Sequence, residues 1–160
     1  IIAGPGVKNS GSIKDAVLHV TDLPSTFFEL AGTEHPSTKP DSKLAPIIGK
    51  SMVPLLAGTT DSVRTEKDWI GWELFGNGAV RQGDWKILNL MKTAGGTGDW
   101  QLFNLREDPA ELRDLSAENP EKRAALITLW DEYVKSNGVI LTGDGPFKGK
   151  AQTPETAIED

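Results

Sequence analysis

The sequence contains no cysteine, which excludes disulfide bonds, cysteine-based zinc sites and a thiol nucleophile. It also lacks long hydrophobic runs, and its short apolar stretches fall far below the roughly 20 residues that span a bilayer. Basic residues are few and scattered, 17 against 23 acidic ones, which gives a net charge of −6. Nucleic-acid binding requires a basic stripe. We therefore expect neither a membrane span nor a nucleic-acid partner.

What is present is typical of a globular chain: 160 residues, of which 38% are hydrophobic and 25% charged. This length suits one domain, or a small domain with a piece of its neighbour. The chain opens with Ile1-Ile2-Ala3-Gly4-Pro5, without Met or a charged leader. Two isoleucines before a Gly-Pro-Gly loop are typical of the end of a buried strand. This opening suggests a truncated or processed product.

The N-terminal third predicts one helix, over residues 22–31. Thr21 or Asp22 is placed to cap its first turn, Pro24 suits that turn, and Gly32 supplies a left-handed stop. Residues 33–50 are predicted to be a surface loop, and a short helical turn follows over residues 52–56.

From Trp69 onward, the pattern predicts four short strands. Aromatic and β-branched segments at residues 69–75, 79–81, 85–90 and 100–105 are separated by glycine-rich turns. Strands joined by such short connections must pair antiparallel. We therefore expect an antiparallel sheet of four strands.

Two helices are predicted after the sheet. Asp108, Pro109 and Glu111 form the start pattern of a short helix ending near Leu115. A longer helix is predicted from Asn119 to Asn137, and we expect its apolar side to pack on the sheet. The side chains of that stripe recur at helical spacing: Leu126, Leu129, Trp130, Tyr133 and Val134.

A search for catalytic and metal-binding motifs predicts no site. Gly49-Lys50-Ser51 lacks the earlier glycine of a phosphate-binding loop, and no serine stands in a nucleophile elbow. His19 and His35 lack convergent metal ligands. Asp108, Glu111 and Asp114 are better explained by helix capping than by calcium binding. The five tryptophans are predicted to be mostly core residues rather than a carbohydrate platform.

The order of several motifs nevertheless resembles the later half of the sulfatase family. The first are Gly4-Pro5-Gly6-Val7, His19 to Thr26, Glu29-Leu30-Ala31-Gly32 and Gly49 to Gly58. Ala79-Val80-Arg81-Gln82-Gly83-Asp84-Trp85-Lys86 is similar to a hairpin of bacterial arylsulfatases. Phe103-Asn104-Leu105, followed by Asp108-Pro109-Ala110-Glu111 and Asp114-Leu115, is similar to the family element that comes next. The resemblance covers residues 1 to about 141.

The resemblance implies an alkaline-phosphatase-like α/β fold divided into four parts. Residues 1–58 would end the catalytic α/β domain, and residues 59–68 would be a linker. The C-terminal subdomain, with its antiparallel sheet and helix, would comprise residues 69–138. Residues 139–160 would be a tail. Members hydrolyse sulfate esters with a formylglycine made in a Cys/Ser-x-Pro-x-Arg motif, beside calcium. Neither that motif nor the calcium ligands can be assigned to this sequence, so calcium and formylglycine are expected only in the intact parent enzyme.

The resemblance predicts a structural part of an arylsulfatase-type enzyme, inactive alone, whose partner is the rest of the catalytic domain. The loops at residues 76–78 and 95–98 are candidates for a wall of the sulfate ester pocket, with Asn77 as the candidate rim residue. Two alternatives stay open: a binding module for a sulfated sugar or protein, and part of a phosphonate or phosphodiester hydrolase. The compartment also stays open, since a bacterial periplasmic or cytoplasmic protein is compatible with the sequence.

Overall fold

The computed structural model describes residues 1–8 and 11–140, and the chain divides into two compact units. Unit 1 runs from Ile1 to Thr65, and unit 2 begins at Glu66. The fold is mixed α/β, as predicted. Residues 141–160, most of the predicted tail, lie outside the described residues.

Unit 1 contains two α-helices joined by loops. Helix α1 is Asp22–Leu30, and α2 is Val53–Leu56; a 3-10 turn, Pro36–Thr38, lies in the loop between them. Gly32 ends α1 with a φ of 62°, and its N–H donates to the Glu29 carbonyl. The predicted helix and its glycine stop are therefore confirmed.

Two expectations for unit 1 are wrong. Ile1 and Ile2 are exposed and form no strand, because an isolated extended segment has no neighbour to satisfy its backbone groups. Neither Thr21 nor Asp22 caps α1 through its side chain. The Asp22 carboxylate is fully buried and binds groups outside the helix, as described below.

Unit 2 contains the predicted antiparallel sheet. Its strands are β1 (Trp69–Leu74), β2 (Asn77–Gln82), β3 (Trp85–Asn89) and β4 (Gln101–Asn104), and they pair in chain order. The register sets one row of residues across the sheet: Gly71, Val80, Ile87 and Leu102. The last three are completely buried and form the centre of the hydrophobic core.

Helix α3, Pro120–Asn137, packs against β1, β2 and β3, as predicted. Leu126 and Trp130 are its buried side chains, and Gly138 ends it in the left-handed conformation. Trp130 meets Trp100 edge-on at 5.3 Å between ring centroids and stacks on Tyr133 at 5.5 Å. Gly71 provides the space for the Tyr133 ring, since a Cβ there would lie 2.4 Å from Cδ2.

The tryptophans are mostly core residues, as expected. Trp130 is 2% exposed, and three others pack against the core while partly buried: Trp69, Trp85 and Trp100. Trp72 is the most exposed of the five, at 36%.

The predicted short helix after Asp108 does not form. The segment is a series of turns, and Glu111 has a φ of 56°, which a helix cannot accommodate. Asp108 accepts a hydrogen bond from the Arg113 N–H at 2.8 Å, and Glu111 pairs with Lys86 of β3 at 2.6 Å. Asp114 accepts from the Leu102 N–H of β4 at 3.0 Å. These carboxylates therefore stabilise the turns and the sheet instead of capping a helix.

Candidate functional site

The most highly connected polar group in unit 1 is the buried carboxylate of Asp22. Arg64 donates to both of its oxygens at 2.8 Å, a two-pronged contact that fits guanidinium geometry. The backbone N–H groups of His19 and Lys50 donate to the same carboxylate at 2.7 and 2.9 Å. Arg64 also donates to the Val17 carbonyl at 2.8 Å. Three segments far apart in sequence, around Asp22, Lys50 and Arg64, are thus held at one point.

This network holds the loop before α2 against the start of α1. The Thr26 hydroxyl donates to the Asp22 carbonyl at 2.7 Å and accepts from the Met52 N–H at 2.9 Å. Ser25 donates to the Gly49 carbonyl at 2.7 Å. A Cβ at Gly49 would lie 1.8 Å from the Thr21 carbonyl oxygen, so only glycine allows this approach. The Gly49-Lys50-Ser51 sequence is therefore a packing motif.

The surroundings of Asp22 favour its charged form. Burial raises the pKa of the carboxyl, but the hydrogen bonds from Arg64 and from the Lys50 and His19 amides together lower the pKa below its ordinary value. A carboxylate so stabilised stays ionised. Its pKa is therefore wrong for a general base that must take up a proton near neutral pH.

Unit 1 also exposes many apolar side chains. The lining of a cavity of about 420 Å³ contains Lys8, Ser12 and Lys14 together with apolar side chains, among them Ile1, Ile2, Val7, Ile13, Leu18 and Leu56. Further large apolar residues are more than half exposed elsewhere on the unit: Val20, Phe27, Leu30, Leu44 and Ile48. Unit 1 therefore leaves many large apolar side chains in contact with solvent.

The two loops predicted to line a pocket lie at the same end of the sheet in unit 2. The Asn77 side-chain oxygen accepts a hydrogen bond from the Met91 N–H at 2.9 Å, and its amide nitrogen donates to the Leu74 carbonyl at 3.0 Å. Met91 directly precedes the 3-10 turn Lys92–Ala94 and the glycine-rich loop. Asn77 thus joins the β1–β2 turn to the β3–β4 loop, and its role at a pocket rim stays a prediction.

The turn beside Asn77 contains a residue that the sequence did not single out. Phe75 has a φ of 51° and is 83% exposed. An aromatic-rich segment followed by Gly-Asn-Gly indicates a hairpin. This pattern does not reveal that phenylalanine occupies a left-handed position in the turn.

The described residues do not fit the calcium and formylglycine of a sulfatase centre. Within residues 1–8 and 11–140, no group of three or more His, Asp or Glu side chains could hold a metal ion. The sequence has no cysteine, and no serine stands two residues before a proline. Across the same residues, no helix has both the length and the apolar character needed to cross a membrane.

No family model matches the sequence. Among curated proteins, an uncharacterized sulfatase of Schizosaccharomyces pombe is 32% identical over 145 residues. This match covers 90% of the chain and 26% of the relative. The chain therefore spans about a quarter of the length of the curated relative that it matches.

Solved structures show the same fold. A protein solved in complex with its substrate, D-glucosamine-2-N,6-O-disulfate, matches with a TM-score of 0.60 and 21% identity, over 91% of this chain and 29% of that one. A putative sulfatase from Bacteroides thetaiotaomicron matches with a TM-score of 0.60 and 24% identity, over 85% of this chain and 29% of its own.

The chain thus shares its fold, with the sheet of four antiparallel strands and α3, with these solved structures. The predicted resemblance to the C-terminal part of a sulfatase is confirmed.

Proposed function

We propose that this chain is the C-terminal part of an arylsulfatase-type sulfuric ester hydrolase and that it supports the catalytic centre without supplying a catalytic group. The observation that carries the proposal is the sequence match to a sulfatase over 90% of the chain. The formylglycine and calcium would come from the remaining polypeptide. The isolated chain should therefore be inactive.

The exposed apolar surface of unit 1 supports this assignment. The match covers 26% of the relative, so about three quarters of the relative's length lies outside it. The rest of the catalytic domain is thus a large partner of suitable chemistry for the cavity beside Ile2 and Leu18. In this proposal residues 1–58 complete the catalytic α/β domain and residues 69–138 form the C-terminal subdomain. The linker between them is residues 59–68.

The substrate class that we propose is a sulfated saccharide. Its support is the structural neighbour solved with a disulfated glucosamine. The loops at Asn77 and at residues 95–98 would form part of the pocket wall, because antiparallel pairing in chain order places both at one end of the sheet.

The test begins with the reading frame upstream of Ile1. We expect a Cys/Ser-x-Pro-x-Arg motif there, followed by Asp-Asn and Lys residues. The longer polypeptide should hydrolyse 4-nitrophenyl sulfate and a sulfated monosaccharide, whereas the 160-residue chain should hydrolyse neither. Unrelated upstream sequence would overturn the proposal and favour a stand-alone binding module. Hydrolysis of phosphonates or phosphodiesters, without sulfate esters, would assign the parent to that related class instead.

A further inference from the structure

The two edges of the sheet in unit 2 differ in their backbone hydrogen bonds. Leu74 pairs with Asn77 across a two-residue turn, and such a turn is closed by a hydrogen-bonded pair. Because the bonding direction alternates along a strand, Leu74, Trp72 and Ile70 bond to β2. The backbone groups of the other residues of β1 point away from the sheet: Trp69, Gly71 and Glu73.

The outer edge of β4 is closed by the chain that follows it. The Leu115 N–H donates to the Leu102 carbonyl at 2.8 Å, and the Leu102 N–H donates to Asp114 at 3.0 Å. The Asp108 N–H donates to the Asn104 carbonyl, also at 2.8 Å. The residues between β4 and α3 thus satisfy the backbone groups that this edge would otherwise present to another strand.

The outer edge of β1 has no such cover within residues 1–8 and 11–140. No described group forms a hydrogen bond with the outward N–H and C=O groups of Trp69, Gly71 and Glu73. The strand also lacks the features that protect edges, since its register with β2 runs unbroken from Trp69 to Leu74 and it contains neither proline nor lysine. An edge of this kind is a template for another strand.

We propose that β1 is a self-association edge, at which the β1 strands of two copies of this chain pair antiparallel about a twofold axis at Gly71. A twofold contact needs a surface that is complementary to itself. In this register all the outward-pointing residues find partners, because Gly71 lies opposite Gly71 and Trp69 lies opposite Glu73. Each such pair exchanges two hydrogen bonds. This inference goes beyond the proposed function, since it concerns a contact between two copies and not the reaction.

The side chains of β1 also fit this register. Gly71 faces Tyr133 of α3, so Ile70 and Trp72 lie on the other face of the sheet. There Ile70 of each copy would lie opposite Trp72 of the other, in the closely spaced positions that form no backbone hydrogen bonds. Trp72 is 36% exposed, so this pair removes apolar surface from water. Glu73 lies opposite Trp69, which avoids a pair of like charges.

Helix α3 leaves room for the second copy. It packs mainly over β2, and the β2 strands of the two copies would be three inter-strand spacings, about 14 Å, apart. Packed helices need only about 8–10 Å between their axes. Both α3 helices therefore fit side by side on one face of the joined sheet. The contact between the copies is small, so the dimer should be weak.

Hydrogen exchange on the 160-residue chain tests the contact without any mutation. Between about 10 μM and about 1 mM chain, a range that brackets weak dimers, protection of the Gly71 and Glu73 amides should rise at least about tenfold. The Leu102 amide is the internal reference, because it is already bonded to Asp114 within one chain. Its protection should not depend on concentration.

Glu73→Pro and Glu73→Ala form a matched pair of variants. Both remove the carboxylate that accepts from the Gly76 N–H, but only proline also removes the outward N–H of residue 73. Sedimentation at the highest concentration should show dimers of the alanine variant and monomers of the proline variant. Both variants should keep the native tryptophan emission.

Three results overturn the proposal. Equal protection of the Gly71 and Glu73 amides at all concentrations would mean that the chain covers its own edge. Amides that stay unprotected at all concentrations would mean that water covers it. Equal association of the alanine variant and a folded proline variant would place the contact on another surface. If proline unfolds the sheet, the concentration dependence in the unaltered chain decides alone. None of these results depends on whether the longer polypeptide hydrolyses sulfate esters, so the proposed function is tested separately.

Discussion

Arg64 and Asp22, 42 positions apart in the sequence, meet in a buried ion pair through two hydrogen bonds of 2.8 Å each. The aspartate is fully buried, and the arginine side chain is 11% exposed. The same carboxylate accepts from the Lys50 amide, so the pair fixes the loop before α2. Its removal should have effects that an exposed pair would not show.

Arg64→Met should destabilise unit 1 by about 3–5 kcal/mol, because it leaves a buried carboxylate without its cation. We expect hydrogen exchange at the Lys50 and Met52 amides to accelerate at least about a hundredfold. The matched control is Lys14→Met, which removes the exposed Lys14–Asp61 pair, also 2.8 Å long. Because water screens an exposed pair, that change should leave the stability of unit 1 nearly unaltered. Equal effects of the two variants would show that the buried pair stabilises unit 1 no more than the exposed pair does.

Acid should release the same loop. Burial raises the pKa of Asp22, but the hydrogen bonds from Arg64 and the backbone lower it further, so the folded pKa lies below the unfolded one. A depressed pKa contributes stability that is fully present above the unfolded value, about 3.9. The contribution is lost as pH falls through the folded value. Exchange protection at Lys50, corrected for intrinsic rates, should therefore be constant between about pH 7 and pH 5 and decline below about pH 4.

Asp22→Asn is the control for this pH dependence. The variant has no carboxyl to titrate at this position, so its protection at Lys50 should be lower at neutral pH and nearly flat through the acid range. An unchanged acid decline in the variant would assign the effect to another group.

Gly71→Ala should loosen α3 from the sheet. The new Cβ would lie 2.4 Å from Cδ2 and 2.6 Å from Cγ of Tyr133, too near the base of the ring for a small shift to relieve. Overpacking of this kind costs about 1–3 kcal/mol. All five tryptophans follow Glu66, so urea unfolding followed by their fluorescence reports on unit 2. In a Tyr133→Ala background, the same glycine change should cost much less, and an undiminished cost there would contradict the contact.

Asn77→Ala should destabilise the end of the sheet by about 1–2 kcal/mol, because it removes one acceptor and one donor that join two loops. Exchange at the Met91 amide should accelerate. Asn77→Asp keeps the acceptor for Met91 and should protect that amide better than alanine does. If alanine leaves Met91 protected but alters substrate preference in the longer polypeptide, Asn77 contacts substrate directly.

The sheet and α3 could be predicted because their signals are local. Strands 69–74 and 77–82 are separated by two residues, which leaves antiparallel pairing as the only geometry. The Asp22–Arg64 pair could not be predicted, since the capping pattern at Thr21 and Asp22 offered a local explanation for the aspartate. The helix predicted after Asp108 failed for a similar reason. Glu111 does not cap a helix, because it forms an ion pair with Lys86, which lies 25 positions earlier in the sequence.

The candidate site shows the same limit. Its two loops were identified from their glycines, but their meeting through Asn77 and Met91 depends on a register that only the folded sheet defines. Phe75 gave no signal, because phenylalanine at the end of an aromatic-rich strand is ordinary in sequence and unusual only in its dihedral angle.

The chain-order arrangement of β1, β2, β3 and β4 has a kinetic consequence. Each strand pairs with its immediate neighbour along the chain, so the sheet forms through short loop closures, and only α3 must then return across it. Folds built from such local contacts fold quickly. During synthesis, β1 and β2 can form a hairpin before α3 has been made. The core face of the sheet would then stay exposed to solvent until α3 packs on it through Trp130.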